Sequence, residues 1–450
     1  MTDRHAVIWT RAPKGVPVKM GSLVATGTES RFTYSQEFLD SNYPAGLSLL
    51  ASPGLYKSEP FVHRNTEIQP LPPRLLAKIP PQRANNIQRR VYAALLAKRP
   101  NPPAPGFDTD WELLMLAGHN GIGHLDVFRD DIEASKWYEA GISRLSFDGQ
   151  RSQLWSLLKQ DLNLGPDEAD ANLAALIGPT PSVGGMIPKL LVATPNTDDW
   201  DGRIAASGTQ AIKGTPYIDV VMKIEPPDYT GIVELESLCL QWHASVGFSV
   251  PRFRTTEVDG LPVLAVARFD RDKNGIPIPL ESFYSVMATG AADITGATDT
   301  DMERVGGMLA ALPQVINIDL KAAQVDVYRR FCAAILTGNG DLHLENLSFL
   351  GGPDNAQVAP VYDPTPMRAW AKHDLMAAIP FEIEGGIGKS LVTLGAAFGL
   401  SKTDAANHFH ELRDKAKELD EQVMALKRVP LVTRKRLVGV LKDIRKRTAI

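Results

Sequence analysis

The stretch that most constrains this chain runs from Gly338 to Asp363. It reads Gly-Asn-Gly-Asp-Leu-His-Leu-Glu-Asn-Leu-Ser-Phe-Leu, continues through Gly-Gly-Pro-Asp-Asn, and closes on Val-Ala-Pro-Val-Tyr-Asp. An apolar helical pattern over Leu320–Leu336, with Val325, Tyr328, Cys332 and Ile335 on one face, stops directly at Gly338. Asp341 and Asn346 therefore fall on a short loop. Leu347–Leu350 and Val358–Tyr362 read as strands around a strong turn at 351–355, a hairpin that returns Asp363 toward Asn346. Seventeen residues separate the two in sequence. The residue types suit one chemistry. A carboxylate can accept the proton of an attacking hydroxyl, while an amide oxygen and a second carboxylate suit a hard cation such as Mg²⁺.

The chain has 450 residues, long enough for two or three domains. Its net charge of −4 offers no global attraction to nucleic acid, and 44% hydrophobic with 22% charged residues is ordinary for a globular protein. The two cysteines, Cys239 and Cys332, lie in apolar helical patterns and read as core residues. No long apolar run follows the N-terminus or approaches a membrane helix, so a cytoplasmic protein with no membrane partner is expected.

Residues 1–130 read as a mixed, strand-rich domain. Ala6–Trp9, Val16–Met20, Leu23–Ala25 and Arg31–Tyr34 are short strands parted by turn residues, and Asn86–Lys98 and Trp111–Ala117 are helices. Residues 131–175 read as a polar helical linker, for instance at Ser152–Asp161. Residues 176–269 form a β-rich lobe. In it, Ser182-Val183-Gly184-Gly185-Met186-Ile187-Pro188-Lys189 can place backbone N–H groups against phosphates, although Gly-Gly turns are common everywhere. Lys223 ends the strand Ile218–Lys223, where it is either a phosphate-binding ammonium or a solvated strand end. Glu236 edges the apolar stripe of a helix over Gly231–Ser245 that ends near Gly247. Asp259-Gly260 marks a hairpin, and Ala267-Arg268-Phe269 leads into residues 270–450, a helical lobe. There, Ser401–Asp404 caps a helix with Leu412, Ala416, Leu419, Val423 and Leu426 inward. The tail Lys427–Arg447 holds nine Lys or Arg and one Asp, either a solvated face or a contact for DNA phosphates.

The order of these signals resembles a two-lobed protein kinase. Asp-x-x-x-x-Asn followed by an Asp is similar to the kinase catalytic loop and magnesium site. Ser182-Val-Gly-Gly, Ala265-Val-Ala-Arg-Phe-Asp-Arg271, Gly340-Asp-Leu-His-Leu-Glu-Asn346 and Val361-Tyr-Asp363 look like the HipA family of bacterial toxin kinases, as does Gly121-Ile-Gly-His-Leu-Asp-Val-Phe128. The resemblance implies an α+β, protein-kinase-like fold: a small β-rich lobe and an all-helical lobe preceded by a mixed, strand-rich subdomain. It implies ATP and Mg²⁺ as cofactors and Asp341 as catalytic base, with Asn346 and Asp363 as metal ligands. Lys223 would hold phosphates and Glu236 would orient Lys223. Val183, Gly184, Gly185, Met186 and Lys189 would cover the nucleotide, and Ala267, Arg268 and Phe269 would form a hinge against adenine. His343 also matches the family loop, with packing preferred over proton transfer as its role. Ser182 would be the inhibitory autophosphorylation site. The family's usual Gln-Glu-Lys is Ile187-Pro188-Lys189 here, and Pro188 lacks the N–H a phosphate could use.

By resemblance, the chain is a HipA-like serine/threonine kinase toxin acting on a translation component, first an aminoacyl-tRNA synthetase of glutamyl type. Its partner would be a HipB-like DNA-binding antitoxin that brings it to operator DNA. Two other readings stay open: a catalytically weak, kinase-shaped co-repressor or scaffold, and a small-molecule phosphotransferase.

Overall fold

A computed structural model describes residues 3–12, 14–80, 87–140 and 187–449. The helical reading of Ser152–Asp161 and the residues Ser182, Val183, Gly184, Gly185 and Met186 lie outside the described residues. The chain divides into two compact units: Met1–Pro227 with Arg252–Glu281, and Asp228–Pro251 with Ser282–Ile450.

The first unit holds two antiparallel sheets. One runs in the order Phe61–Arg64, Glu29–Tyr34, Val18–Ala25, Arg4–Thr10 and Asp126–Phe128. The two segments expected around Gly21 are a single strand, Val18–Ala25. Gly21 does not break it because its conformation is extended. Glycine is needed there for space, since a Cβ would overlap the Thr33 carbonyl and the Phe32 ring on the neighbouring strand. Val16, expected to begin this strand, lies outside it and is exposed. Asp131–Ala140, at the start of the expected linker, is a helix that packs on this sheet. Its Trp137 and Tyr138 rings sit 5.7 Å from Phe128.

The second sheet has the order Phe253–Val258, Leu261–Ala267, Thr215–Ile224, Lys189–Pro195 and Ala205–Ala206, with Ala211–Ile212 pairing onto Thr215–Ile224. The expected hairpin is present, with Asp259 and Gly260 both at positive φ (52° and 79°), the conformation a two-residue type I′ turn requires. Leu190, Val192, Val220, Met222 and Val263 from this sheet share one apolar core with Ile8, Leu23, Phe32 and Trp111.

The second unit is mainly helical. Ile232–Ser245 ends two residues before Gly247, which takes φ 88° as a C-terminal glycine. Leu320–Thr337 carries Val327, Tyr328, Phe331, Cys332 and Ile335 into the core and ends at Gly338, φ 77°. Cys239 and Cys332 are both buried free thiols, as packing residues should be. The hairpin is shorter than expected: Ser348–Leu350 pairs with Gln357–Val358, and the chain leaves the sheet at Ala359. Pro360 explains the early exit, because it cannot donate to a ladder. Ser401 caps Lys402–Lys415 by accepting from the Asp404 amide at 3.1 Å. The continuous helix expected through Leu426 is interrupted by a 3₁₀ turn at Ala416–Glu418 before Leu419–Ala425. Leu431–Arg447 buries Leu437, Leu441 and Ile444 and leaves most of its basic residues outside. Among the described residues, no helix is long and apolar enough to cross a membrane.

Gly21→Ala tests the close approach in the first sheet. The added methyl is expected to cost about 1–3 kcal/mol, read as a lower urea midpoint with an unchanged slope. A midpoint equal to wild type would show that the strands separate freely.

Candidate active site

In the second unit, the end of the Leu320–Thr337 helix sets up the loop that follows. The Asn339 amide bonds back to the Ala334 carbonyl at 2.8 Å, and Gly338 supplies the left-handed residue this requires. Asn339 then accepts the Asp341 amide on its side-chain oxygen at 3.0 Å. The Gly340 backbone passes so close to the Leu375 carbonyl that a side chain would collide with it. Asp341 is held half-buried on this turn.

Asn346 lies on a single 3₁₀ turn, Leu344–Asn346, capped by His343, whose Nδ1 accepts the Glu345 amide at 3.2 Å. His343 thus caps the turn that carries Asn346. The Asn346 Nδ2 donates to the Asp341 carbonyl at 2.9 Å, which turns its Oδ1 the other way. The two loop residues five apart are therefore locked together by one hydrogen bond.

Asp363 sits at φ 54°, a left-handed conformation uncommon for a residue with a side chain. Such strain persists only where the surroundings impose it and clusters at functional sites. Part of the surroundings is a side-chain chain of contacts. Thr365 Oγ1 donates to Glu236 Oε2 at 3.0 Å and lies 3.5 Å from Asp363 Oδ1. Glu236 is 2% exposed, so it is not the solvated residue that its helix edge allowed. Tyr362 completes the frame by donating to the Glu345 carbonyl at 2.7 Å, with its hydroxyl 2.6 Å from that of Ser348. Asp341, Asn346, Asp363, Glu236 and Thr365 belong to the same unit.

An amide oxygen and a strained carboxylate suit a hard cation that takes its remaining ligands from water and phosphate, as Mg²⁺ does. Among the described residues no group of three or more His, Cys, Asp or Glu is arranged to hold a metal by itself. The segment after Asp363 also borders the loop. The Arg368 amide donates to Gly338, and His373 Nε2 is 2.7 Å from the Tyr229 hydroxyl. Burial pushes the His373 imidazole down, Lys372 adds to this, and the Asp341 charge opposes it.

In the first unit, Lys189 and Lys223 face each other across paired strands, and both are buried, at 8% and 4% exposed. Lys223 is therefore not a solvated strand end. Pro188 carries a carbonyl that accepts the Ile224 amide at 3.0 Å, so it belongs to the edge of this sheet.

The Ala267–Phe269 stretch, the expected adenine edge, has two of its amides paired inside the first unit. The Ala267 and Arg268 amides already donate to the Arg252 and Asp219 carbonyls at 2.8 and 2.9 Å. Neither N–H is left for a ligand. The Arg268 side chain is fully buried and makes two bonds to the Asp270 carboxylate, at 2.9 and 2.8 Å, and one to the Gly121 carbonyl at 2.7 Å. Arg271 bonds Asp270 from the other side at 3.0 Å, and Asp270 accepts the Gly123 amide at 2.7 Å. The Ala-Arg-Phe-Asp-Arg and Gly-Ile-Gly-His motifs are two halves of one buried charge cluster. Burial alone would raise the Asp270 carboxyl, but Arg268 and then Arg271 outweigh it and hold the group well below the usual carboxylate range.

Sequence reasoning missed Thr365, Arg330 and this cluster. Arg330 did leave a signal, as a charge inside an apolar helix stripe four residues after Asp326. Thr365 left none, because a threonine two residues past an aspartate is unremarkable until the chain folds.

A family model described as "HipA-like C-terminal domain" matches residues 181–420. A curated Haemophilus influenzae protein named "Putative kinase" is 27% identical over 261 residues, covering 51% of this chain and 73% of that protein. The Sinorhizobium fredii "Putative kinase Y4mE" is 26% identical over 366 residues, covering 76% and 74%. HipA of Shewanella oneidensis MR-1, solved with HipB and operator DNA, superposes with a TM-score of 0.62 at 15% identity, over 96% of this chain and 98% of that one. That likeness shows a kinase-like fold.

Asp270→Asn removes the buried carboxylate that Arg268 and Arg271 both bond. The expected loss is about 3–5 kcal/mol of unfolding free energy, measured by urea denaturation at pH 7. The carboxyl pKa is depressed on folding, so this contribution is present above the unfolded value of about 4 and fades as pH falls below it. Equal stability of wild type and variant at pH 7 would remove the cluster from the account of the fold.

Proposed function

This chain belongs to the family with a HipA-like C-terminal domain, and from that membership we propose that it is a Mg-ATP-dependent serine/threonine kinase of a toxin–antitoxin pair. The observation that carries the reading is the hydrogen-bonded Asp341–Asn346 loop beside a strained Asp363, at the spacing of a phosphoryl-transfer site. Asp341 accepts the proton of the attacking hydroxyl. Asn346 Oδ1 and the Asp363 carboxylate would hold Mg²⁺, which would supply positive charge to neutralise the phosphates. Thr365 and Glu236 keep Asp363 in its strained conformation. Lys189 and Lys223, both buried, would pair with phosphate oxygens, as the resemblance implies.

Val183, Gly184, Gly185 and Met186 would cover the nucleotide, and Ser182 would be the residue that silences the enzyme once phosphorylated. Nearly two added negative charges beside ATP supply the physical reason. The partner is a HipB-like antitoxin, through which the protein would sit on operator DNA; the Shewanella protein's complex supports this. The acceptor is a serine or threonine of a translation component, with a glutamyl-type aminoacyl-tRNA synthetase as first candidate.

ATP turnover and autophosphorylation are measured on wild type, Asp341→Asn and Asp363→Asn. Each variant is expected to lose about 10²–10⁴-fold in rate. Unchanged activity in both sinks the kinase assignment. Thermal stabilisation by ATP with Mg²⁺ separates the other readings: no shift indicates a kinase-shaped scaffold or co-repressor, while a shift with a small-molecule acceptor but no protein acceptor indicates a phosphotransferase.

A further inference from the structure

The two arms of the site reach Asn346 and Asp363 by different routes. One arm is the Leu320–Thr337 helix and the loop after Gly338; the other is the hairpin Ser348–Val358 and its exit through Ala359. Arg330 connects them. Projecting from the helix, its Nη2 donates to the Ala359 carbonyl at 2.6 Å, four residues before Asp363. Its Nε lies 2.6 Å from Asp326 Oδ2, one helical turn back, an ion pair within its own helix although neither atom makes a directed hydrogen bond. The residue is 5% exposed, and its Nη1 is buried with no hydrogen-bond partner. Arg330 lines a small pocket whose walls also include Asn339, Asn346, Tyr362, Pro364 and His243, the residues on either side of Asp363 among them. Burial pushes the His243 imidazole down to about 4, so it is neutral there and Arg330 is the cation of this pocket.

A buried guanidinium tolerates little displacement, because its planar donors demand fixed acceptors. A helix-to-hairpin tie of this kind fixes how far Asn346 stands from Asp363. Mg²⁺ needs near-ideal octahedral geometry at about 2.0–2.1 Å, whereas Ca²⁺ accepts irregular shells at about 2.3–2.6 Å. An error of a few tenths of an ångström between the arms therefore weakens Mg²⁺ more than Ca²⁺.

We propose that Arg330 is a positioning residue that sets the spacing of Asn346 and Asp363 and thereby selects Mg²⁺ over larger cations. This inference rests on the kinase reading. The test uses the full chain with ATP and no acceptor, titrated with MgCl₂ or CaCl₂ and followed calorimetrically. Arg330→Met is expected to raise the half-saturating Mg²⁺ concentration about tenfold or more, with a smaller change for Ca²⁺. Asp326→Asn, which keeps Arg330 but removes its anchor, is expected to move the ratio in the same direction to a lesser extent, and it serves where Arg330→Met does not fold. Arg329→Met removes a comparable guanidinium–carbonyl bond, to Val246 at 2.8 Å, from the same helix and is expected to leave the ratio unchanged. Equal shifts for both metals, or none, in folded Arg330→Met or Asp326→Asn overturn the proposal. A wild-type chain whose ATP binding ignores both metals overturns the kinase reading first, and this inference with it.

Discussion

A buried helix cannot end in apolar surroundings with its last carbonyls unpaired. The Leu320–Thr337 helix meets that constraint through Gly338 and Asn339, whose amides turn back onto Ile335 and Ala334. Everything in the second unit's site follows from this stop. The turn fixes Asp341, Asn346 is tied to the Asp341 carbonyl, and the hairpin brings Asp363 back along the same helix. The Leu375 carbonyl closes over Gly340, which could not carry a side chain without displacing it, while Gly338 is required by its φ of 77°. The chain terminates its helix and builds its site with the same few residues.

The first unit answers a related problem with charge. Asp270 is removed from water, and two arginines and a backbone amide share its two oxygens. Arg268 and Arg271 in turn reach the Gly121 carbonyl, at 2.7 and 2.9 Å. Removing either side of such a cluster leaves a buried ion, so the segment around Gly121 and the strand-end arginines are bound to one another by necessity. The side chains of the Arg268–Arg271 motif form a structural joint within this unit.

Much of this was legible before folding. The helix stop at Gly338, the Asp259-Gly260 hairpin, the Ser401 cap and the inward cysteines are local effects, set by residues within a few positions of one another. The strand break placed at Gly21 and the uninterrupted helix through Leu426 were misread, because each depends on what lies opposite in space. Gly21 is there for the Thr33 carbonyl, which no local pattern reveals. The Arg268 side-chain partners were hidden for the same reason: Gly121 and Ser207 are far away along the chain.

The sequence by itself determined which residues could do chemistry: an Asp and an Asn five apart on a glycine-stopped loop, a second Asp after a hairpin, and a lysine at the end of a β-branched strand. Hydrogen-bonding capacity and backbone freedom are properties of single residues and short spacings, so they survive without coordinates. Only the tertiary structure decided which of these groups are buried, which are already spent on one another, and which are held in strain. Asp363 at positive φ, Glu236 under Thr365 and Arg330 between two arms of the site are outcomes of packing between distant segments. Burial and long-range pairing are properties of the folded chain alone, because water satisfies every such group until the chain excludes it.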